Sequence, residues 1–286
     1  MSIWLLQVLN GLSFGGLLFL EAAGFSLIFG LLRIPNLSHG GLFMLGAYLG
    51  VTFLANGLNF WIAALCSAII VAAVGGIIER GLLRRISGNE NAQVLATIGV
   101  AFIIADASIG VWGGDPYTIR APGVFAQSIV VGGLTFPLYR LLVIGISIAI
   151  AAALWLAIDR TRIGAMLRAG VDDPEMARGI GVPVFGLFTL VFAVGAGLAG
   201  LGGVLGGPIL SAYPGLDMDI LPLALIVVIL GGVGSLIGAF VGSFVVGLLA
   251  IFSQAMLPDL AYVVLFVPMV IVLAVRPSGL FGRVSA

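Results

Sequence analysis

The run DRTRIGAMLRAGVDDPEMARGIGVPV, Asp159 to Val184, separates two long apolar stretches, Leu138 to Ile158 and Phe185 to Leu205. It holds eight of the chain's 24 acidic and basic residues: Asp159, Arg160, Arg162, Arg168, Asp172, Asp173, Glu175 and Arg178. A polar island this dense, framed by runs that water would reject, marks a solvent-exposed loop of a membrane protein. The rest of the chain agrees. Of its 286 residues, 61% are hydrophobic and 8% charged, with a mean hydropathy of +1.27, so most of it belongs in a bilayer. The apolar runs far exceed the roughly 10-residue alternating strands of a membrane barrel, and helices satisfy their backbone internally. The fold class is therefore all-α, a polytopic transmembrane helical bundle in one domain, residues 1–286.

Working outward from the island, apolar runs at Leu5 to Leu32, Gly41 to Leu54, Phe60 to Ile78, Val94 to Trp112, Leu138 to Ile158, Phe185 to Leu205, Leu236 to Met256 and Ala261 to Val275 give about eight spans. A shorter run, Ile220 to Leu230, reaches only about half of a roughly 30 Å hydrocarbon core. It then meets Gly231, Gly232 and Gly234, and it reads as a half-helix that turns back inside the protein. Arg80, Arg84 and Arg85, the island, and Arg276 with Arg283 place their loops in the cytoplasm by the positive-inside rule, which puts the N-terminus outside. The first run lacks a basic leader and outlasts a signal peptide, so it reads as a retained span. Glycines at four-residue spacing, such as Gly11 and Gly15, Gly46 and Gly50, or Gly202 and Gly206, permit close helix approach, within one bundle or at a dimer face.

Composition also excludes chemistries. All twelve basic residues are arginine, and without lysine there is no phosphate loop of the GxxxxGK[ST] kind, so any ATP hydrolysis belongs to another chain. One cysteine (Cys66) and one histidine (His39) rule out an internal disulfide and argue against a protein-built metal site. No cofactor is expected, nor a nucleic-acid partner. No nucleophile, base and orienting group stand at a catalytic spacing, so the chain does not read as an enzyme.

Four segments carry functional candidates. In RIPNLSHGG, Arg33 to Gly41, Pro35 disfavours helix at Ile34, and Asn36 or Ser38 can cap a new helix. The chain breaks there and dips into the membrane, setting Asn36, Ser38 and His39 and a helix N-terminus against a solute path; an interfacial turn is the alternative. Glu21, deep in the first run, is costly in lipid and should face a cavity or partner. Gly231, Gly232 and Gly234 would expose carbonyls or act as a hinge, or form a plain turn. In the island, Asp172, Asp173 and Pro174 resemble the start of a short helix over Glu175 to Gly179, stopped by Gly181 and Pro183. Together with Arg168 and Ala177 this is a peg for a motor subunit.

The runs GFSLIFGLLRIPNLSHGGLFMLGAY, TIGVAFIIADASIGVWGGDPYTI, AGVDDPEMARGIGVPV and VILGGVGSLIGAFVGS follow the order seen in branched-chain amino-acid ABC transporter permeases of the LivH type. The chain resembles that family from about Asn10 to Gly282. The resemblance implies a multi-pass permease of a bacterial inner-membrane importer. Its partners would be two cytoplasmic ATP-binding subunits, a second related permease and a periplasmic substrate-binding protein, besides membrane lipid and a small-molecule solute. It also implies that the loop 159–184 couples to the ATPases. Importer permeases carry a loop motif beginning Glu-Ala-Ala and reaching a glycine; Glu175, Ala177 and Gly181 correspond to it, and Met176 stands where one alanine is usual. The motif's distal positions fall on Val191, Ala193 and Val194. Glu21 departs from the family, which usually has an apolar residue there, and an acidic group in the path suits a cationic or amide solute. Permeases for urea and amides share the framework. A self-sufficient gradient-driven transporter or channel, using Glu21 and Asp106, is the reading from another class.

Overall fold

The computed structural model describes residues 2–32, 35–131 and 134–282. The order of elements is α1 (Ser2–Leu32), α2 (His39–Ala55), α3 (Phe60–Gly81), α4 (Glu90–Trp112), β1 (Ser128–Val131), β2 (Leu134–Pro137), α5 (Leu138–Arg160), α6 (Arg162–Asp172), α7 (Pro174–Gly179), α8 (Val184–Leu210), α9 (Leu216–Gly231), α10 (Leu236–Met256) and α11 (Ala261–Val275). Polar side chains start several of these helices by accepting from free first-turn amides. Asn59 does so for Trp61 at α3, Asn89 for Ala92 at α4 and Ser235 for Gly238 at α10. β1 and β2 form one antiparallel hairpin in the loop before α5, with Ser128 opposite Pro137.

Among the described residues seven helical segments are long and apolar enough to cross a membrane; α1 is one of them, and α5, α8 and α10 pack directly on it. Leu17, Leu18, Phe19, Leu20, Ala22, Ala23 and Phe25 are all buried, so α1 runs through the middle of the bundle. Gly15 of α1 lies against the backbone of Phe244 in α10, and Gly46 of α2 lies on Gly200 of α8. The repeated glycine spacings thus serve packing within this one chain.

Contacts sort the two sides of the bundle. The arginine-rich side holds Arg84, which bonds to Phe185 at the start of α8, and also Ile28 of α1, which packs with Leu83 and Phe192. Gly30 touches Gly234 on that same side, and Gly232 touches Ser278 and Gly282 after α11. The opposite side holds Trp4 stacked on Phe252, Trp61 against Phe125, and the Tyr117 to Ala212 bridge. The beginning of α1 and the end of α11 therefore lie on opposite sides, as the arginine count expects. Arg33, Ile34 and Arg283 lie outside the described residues.

Two expectations need correction. The run Gly41 to Leu54 does not make a full span: α2 has 17 residues and begins within the bundle. Leu37 donates its amide to Thr97, two turns into α4, and Gly41 meets Ala101 and Ile104. The run Ile220 to Leu230 is part of a short helix, as expected, but it does not turn back inside the protein. It belongs to the 16-residue α9, whose last turn reaches the arginine-rich side, where Leu280 and Phe281 donate amides to the carbonyls of Leu230 and Gly231. Pro222 sits early in α9 and does not end it.

Candidate functional site

The chain passes the level of Glu21 on α1, runs on to Gly30 at the arginine-rich side, and then climbs back before α2 starts. The turn that restarts it is polar and dry. Asn36 Oδ1 accepts from the Ser38 amide at 3.2 Å and from its hydroxyl at 2.6 Å, and the His39 amide bonds the Asn36 carbonyl at 3.1 Å. Ser38 stands at the cap position but its side chain makes no capping bond; it donates to Asn36, which holds the turn. Asn36, Ser38 and His39 are buried, so His39 is no headgroup residue.

His39 ends beside Glu21. Its Nε2 is 3.1 Å from the Glu21 carbonyl and 3.7 Å from Oε2, and both side chains are fully buried. Gly24 makes this approach possible: a Cβ there would sit 3.0 Å from the His39 ring and 2.4 Å from the Gly195 carbonyl of α8. Neither Glu21 oxygen has a hydrogen-bond partner, and His39 Nδ1 and Asn36 Nδ2 have none. Buried polar atoms left open in this way are the exception in folded proteins and mark places that water or a ligand completes.

A second helix start meets the first. Gly40, in the first turn of α2, packs on the carbonyl of Asp217, in the first turn of α9. From there α2 runs outward, where Thr52 accepts from Trp112 at 2.7 Å, and α9 runs inward to the glycine turn. Two short helices thus start against each other inside the bundle and run in opposite directions. Their free amides and positive dipole ends favour anionic groups. Glu21 lies beside one end, and Asp217, 3% exposed, lies within the other. Sequence reasoning missed Asp217, because its neighbour Gly40 lies on a distant part of the chain.

The glycines Gly231, Gly232 and Gly234 are not part of this cluster. They make a tight turn on the arginine-rich side, about 14 Å along α1 from Glu21 by helical rise. Gly232 adopts φ +101° and its α-carbon faces Gly282 and Ser278. Asp106 is exposed on the outer half of α4, apart from Glu21.

The island forms two helices. Thr161 caps α6, and Arg168 ties it back to the end of α5 through the Ile158 carbonyl at 2.6 Å and Asp159 at 3.6 Å. Asp173 caps α7 by accepting from Glu175 and Met176, with Pro174 in the first turn, and Gly181 at φ +89° lets the chain leave. Ala177 is the buried face of α7, whereas Asp172, Glu175, Met176, Arg178 and Ile180 are exposed. A connection to the bundle went unseen in the sequence. Arg178 of α7 and Arg84 both stack on the Phe185 ring, at 5.3 and 5.4 Å. Arg84 in turn forms a two-pronged pair with the buried Glu79 of α3, at 3.0 and 3.2 Å, and Thr189 donates to the same carboxylate at 2.7 Å. In the sequence Arg84 was counted for its charge alone.

Comparison with known proteins settles the family. The profile described as "Branched-chain amino acid transport system / permease component" matches residues 7–273. The chain belongs to this permease family. Its relatives include the high-affinity branched-chain amino acid transport system permease protein BraD of Pseudomonas aeruginosa, 30% identical over 98% of this chain and 96% of that one. The high-affinity branched-chain amino acid transport system permease protein LivH of Escherichia coli K12 is 27% identical with the same coverage. Among solved structures, PsaBC from Streptococcus pneumoniae in complex with Fab superposes with a TM-score of 0.51 over 91% of this chain and 87% of that chain. At 14% identity that likeness bears on the fold alone. The permease is thus a multi-pass membrane subunit of the ABC-type branched-chain amino-acid transport family, whose relatives are transporters rather than enzymes.

Proposed function

We propose that this permease forms the solute path of an ATP-driven bacterial inner-membrane importer for branched-chain or related amino acids. It would work with two cytoplasmic ATP-binding subunits, a second related permease and a periplasmic binding protein. The observation that carries the reading is the island. α7 is capped, displays Met176 and Ile180 beside Glu175 and Arg178, and is linked through Phe185 and Arg84 to Glu79 inside α3. An exposed apolar knob with a charged rim suits docking to a soluble partner. The Arg178, Phe185, Arg84 and Glu79 chain supplies a mechanical link from that partner to a membrane helix.

In this mechanism, ATP binding closes the two motor subunits, moves α7 and α6, and pulls on α3 and α8. Because α2 and α9 start against each other beside α1, a shift of α8 against α1 at Gly24 and Gly195 changes access to that junction. The test is the double variant Glu175→Ala, Gly181→Val in the assembled importer. ATP hydrolysis should persist while uptake falls at least about tenfold, with the permease still in the membrane. Unchanged uptake would remove α7 from the coupling role.

A second reading concerns the solute. Glu21, buried beside the path with both oxygens open, favours an amide or a cationic group over a purely aliphatic side chain. Competition of labelled leucine uptake by unlabelled amides and basic amino acids discriminates the two. Under the second reading, inhibition by the polar compounds disappears in Glu21→Gln.

A further inference from the structure

On the side away from the island, a cavity of about 270 Å³ opens between α1, α5, α8, α9, α10 and α11. It is at the small end of the roughly 300–1,000 Å³ typical of ligand pockets, which suits a small solute. One wall is apolar, built by Phe14, Leu223, Ile251 and Leu265. The other carries Arg140, whose guanidinium donates through Nη1 to Asn10 Oδ1. That bond uses one of five guanidinium donors. Among the described residues no carboxylate pairs with Arg140. Ser13, also lining the cavity, is 1% exposed and its hydroxyl has no partner.

The mouth has the opposite character. Gln254 and Tyr262 are exposed there and contribute acceptors. Asp219 lies one turn outward of Leu223 on the same face of α9 and is held by the Tyr213 hydroxyl at 2.5 Å. The recess therefore offers a partly buried cation with donors to spare, a buried open hydroxyl, an apolar wall, and acceptors at its mouth with a carboxylate one turn beyond.

We propose that this recess is an entry site for a zwitterionic α-amino acid with an apolar side chain. Arg140 receives the carboxylate, with Ser13 as a further donor. The rim of Gln254, Tyr262 and Asp219 faces the ammonium, and Phe14, Leu223, Ile251 and Leu265 cover the side chain. This rests on the importer reading and adds a site to it. An anionic lipid phosphate is the competing occupant, but it has no ammonium for the rim. An open cation at a membrane boundary with no acceptors at its mouth would have suited a lipid better.

The test uses the assembled importer, with its ATPases and second permease, in nanodiscs without the binding protein. Equilibrium binding of radiolabelled L-leucine should weaken about tenfold or more in Arg140→Gln and recover in Arg140→Lys. Neither 4-methylpentanoate, lacking the ammonium, nor 3-methylbutylamine, lacking the carboxylate, should compete as well as L-isoleucine. Leu223→Trp fills the recess without touching Arg140 and should also abolish binding, which decides the matter if Arg140→Gln fails to fold. Leucine binding unchanged in both variants overturns the proposal, as does binding lost in phosphatidylglycerol nanodiscs and present only in neutral ones. ATP-driven uptake by the wild-type importer in sealed proteoliposomes, with the binding protein added, separates the two levels. No uptake sinks the importer reading, whereas normal uptake with unaltered leucine binding in the variants sinks only the entry site.

Discussion

Helices α1 and α5 are both apolar enough to cross a membrane, yet 78% of the most apolar window of α1 is buried against 11% of that of α5. Apolar content does not say which of them the protein buries, because lipid and protein interior are equally apolar to a leucine side chain. Their glycines do. Those of α1 lie on neighbouring backbones, whereas Gly145 of α5 has open space where a Cβ would go. The polar groups follow the same division. The central helix carries an ionisable residue supported by a histidine and two helix starts, while the peripheral one keeps its charged residues at its ends.

The sharpest way to break this comparison is steric. Gly203→Leu in α8 would drive a Cβ to within 2.1 Å of the Phe43 carbonyl in α2, and the protein should fail to accumulate in the membrane. Gly145→Leu should accumulate normally, as Western blots of isolated membranes would show. If both accumulate alike, the central packing is less tight than described here.

Next in size is the ion pair at the arginine-rich end of α3, in which Glu79 is buried and Arg84 partly exposed. Glu79→Ala leaves the partly exposed Arg84 beside Phe185 without its carboxylate and should cost about 1.5–3 kcal/mol. The check is thermal unfolding in mild detergent, where the loss should exceed that of Arg162→Ala in the exposed start of α6. Glu21→Gln, by contrast, keeps size and shape at a site whose oxygens have no protein partner. It should leave the unfolding temperature within a few degrees and change uptake instead. A large loss of stability with unaltered uptake would turn Glu21 into a packing residue.

The smallest effect falls on the island. Asp173→Ala removes two first-turn bonds of α7 and should cost that helix about 1 kcal/mol. It would be seen as faster amide exchange confined to residues 174–181, with the bundle unaffected.

The long spans and the island were legible because each rests on local information: unbroken apolar runs, arginine placement, and an aspartate and proline in the first turn of α7. Asn36, Ser38 and His39 were legible too, since a proline after an apolar run followed by capping residues forces a restart. The junction of α2 with α9 was not, because it depends on Gly40 meeting Asp217 across most of the chain. The same holds for Glu79 with Arg84 and Thr189: an arginine in a polar loop looks alike whether it is solvated or folded back on a buried acid. Ile220 to Leu230 misled through its length. The flanking Leu216 to Asp219 carries two carboxylates, which hide a helix start that they in fact occupy.

The bonds from Leu280 and Phe281 to the end of α9 have a bearing on how the protein is made. The last carbonyls of α9 find their partners in a segment synthesised two transmembrane helices later. During insertion that end of the helix must wait, solvated at the membrane surface, until α11 has crossed. Closure of the glycine turn is then a late event of biogenesis, and a chain interrupted after α10 would leave an unfinished helix end for quality-control proteases to find.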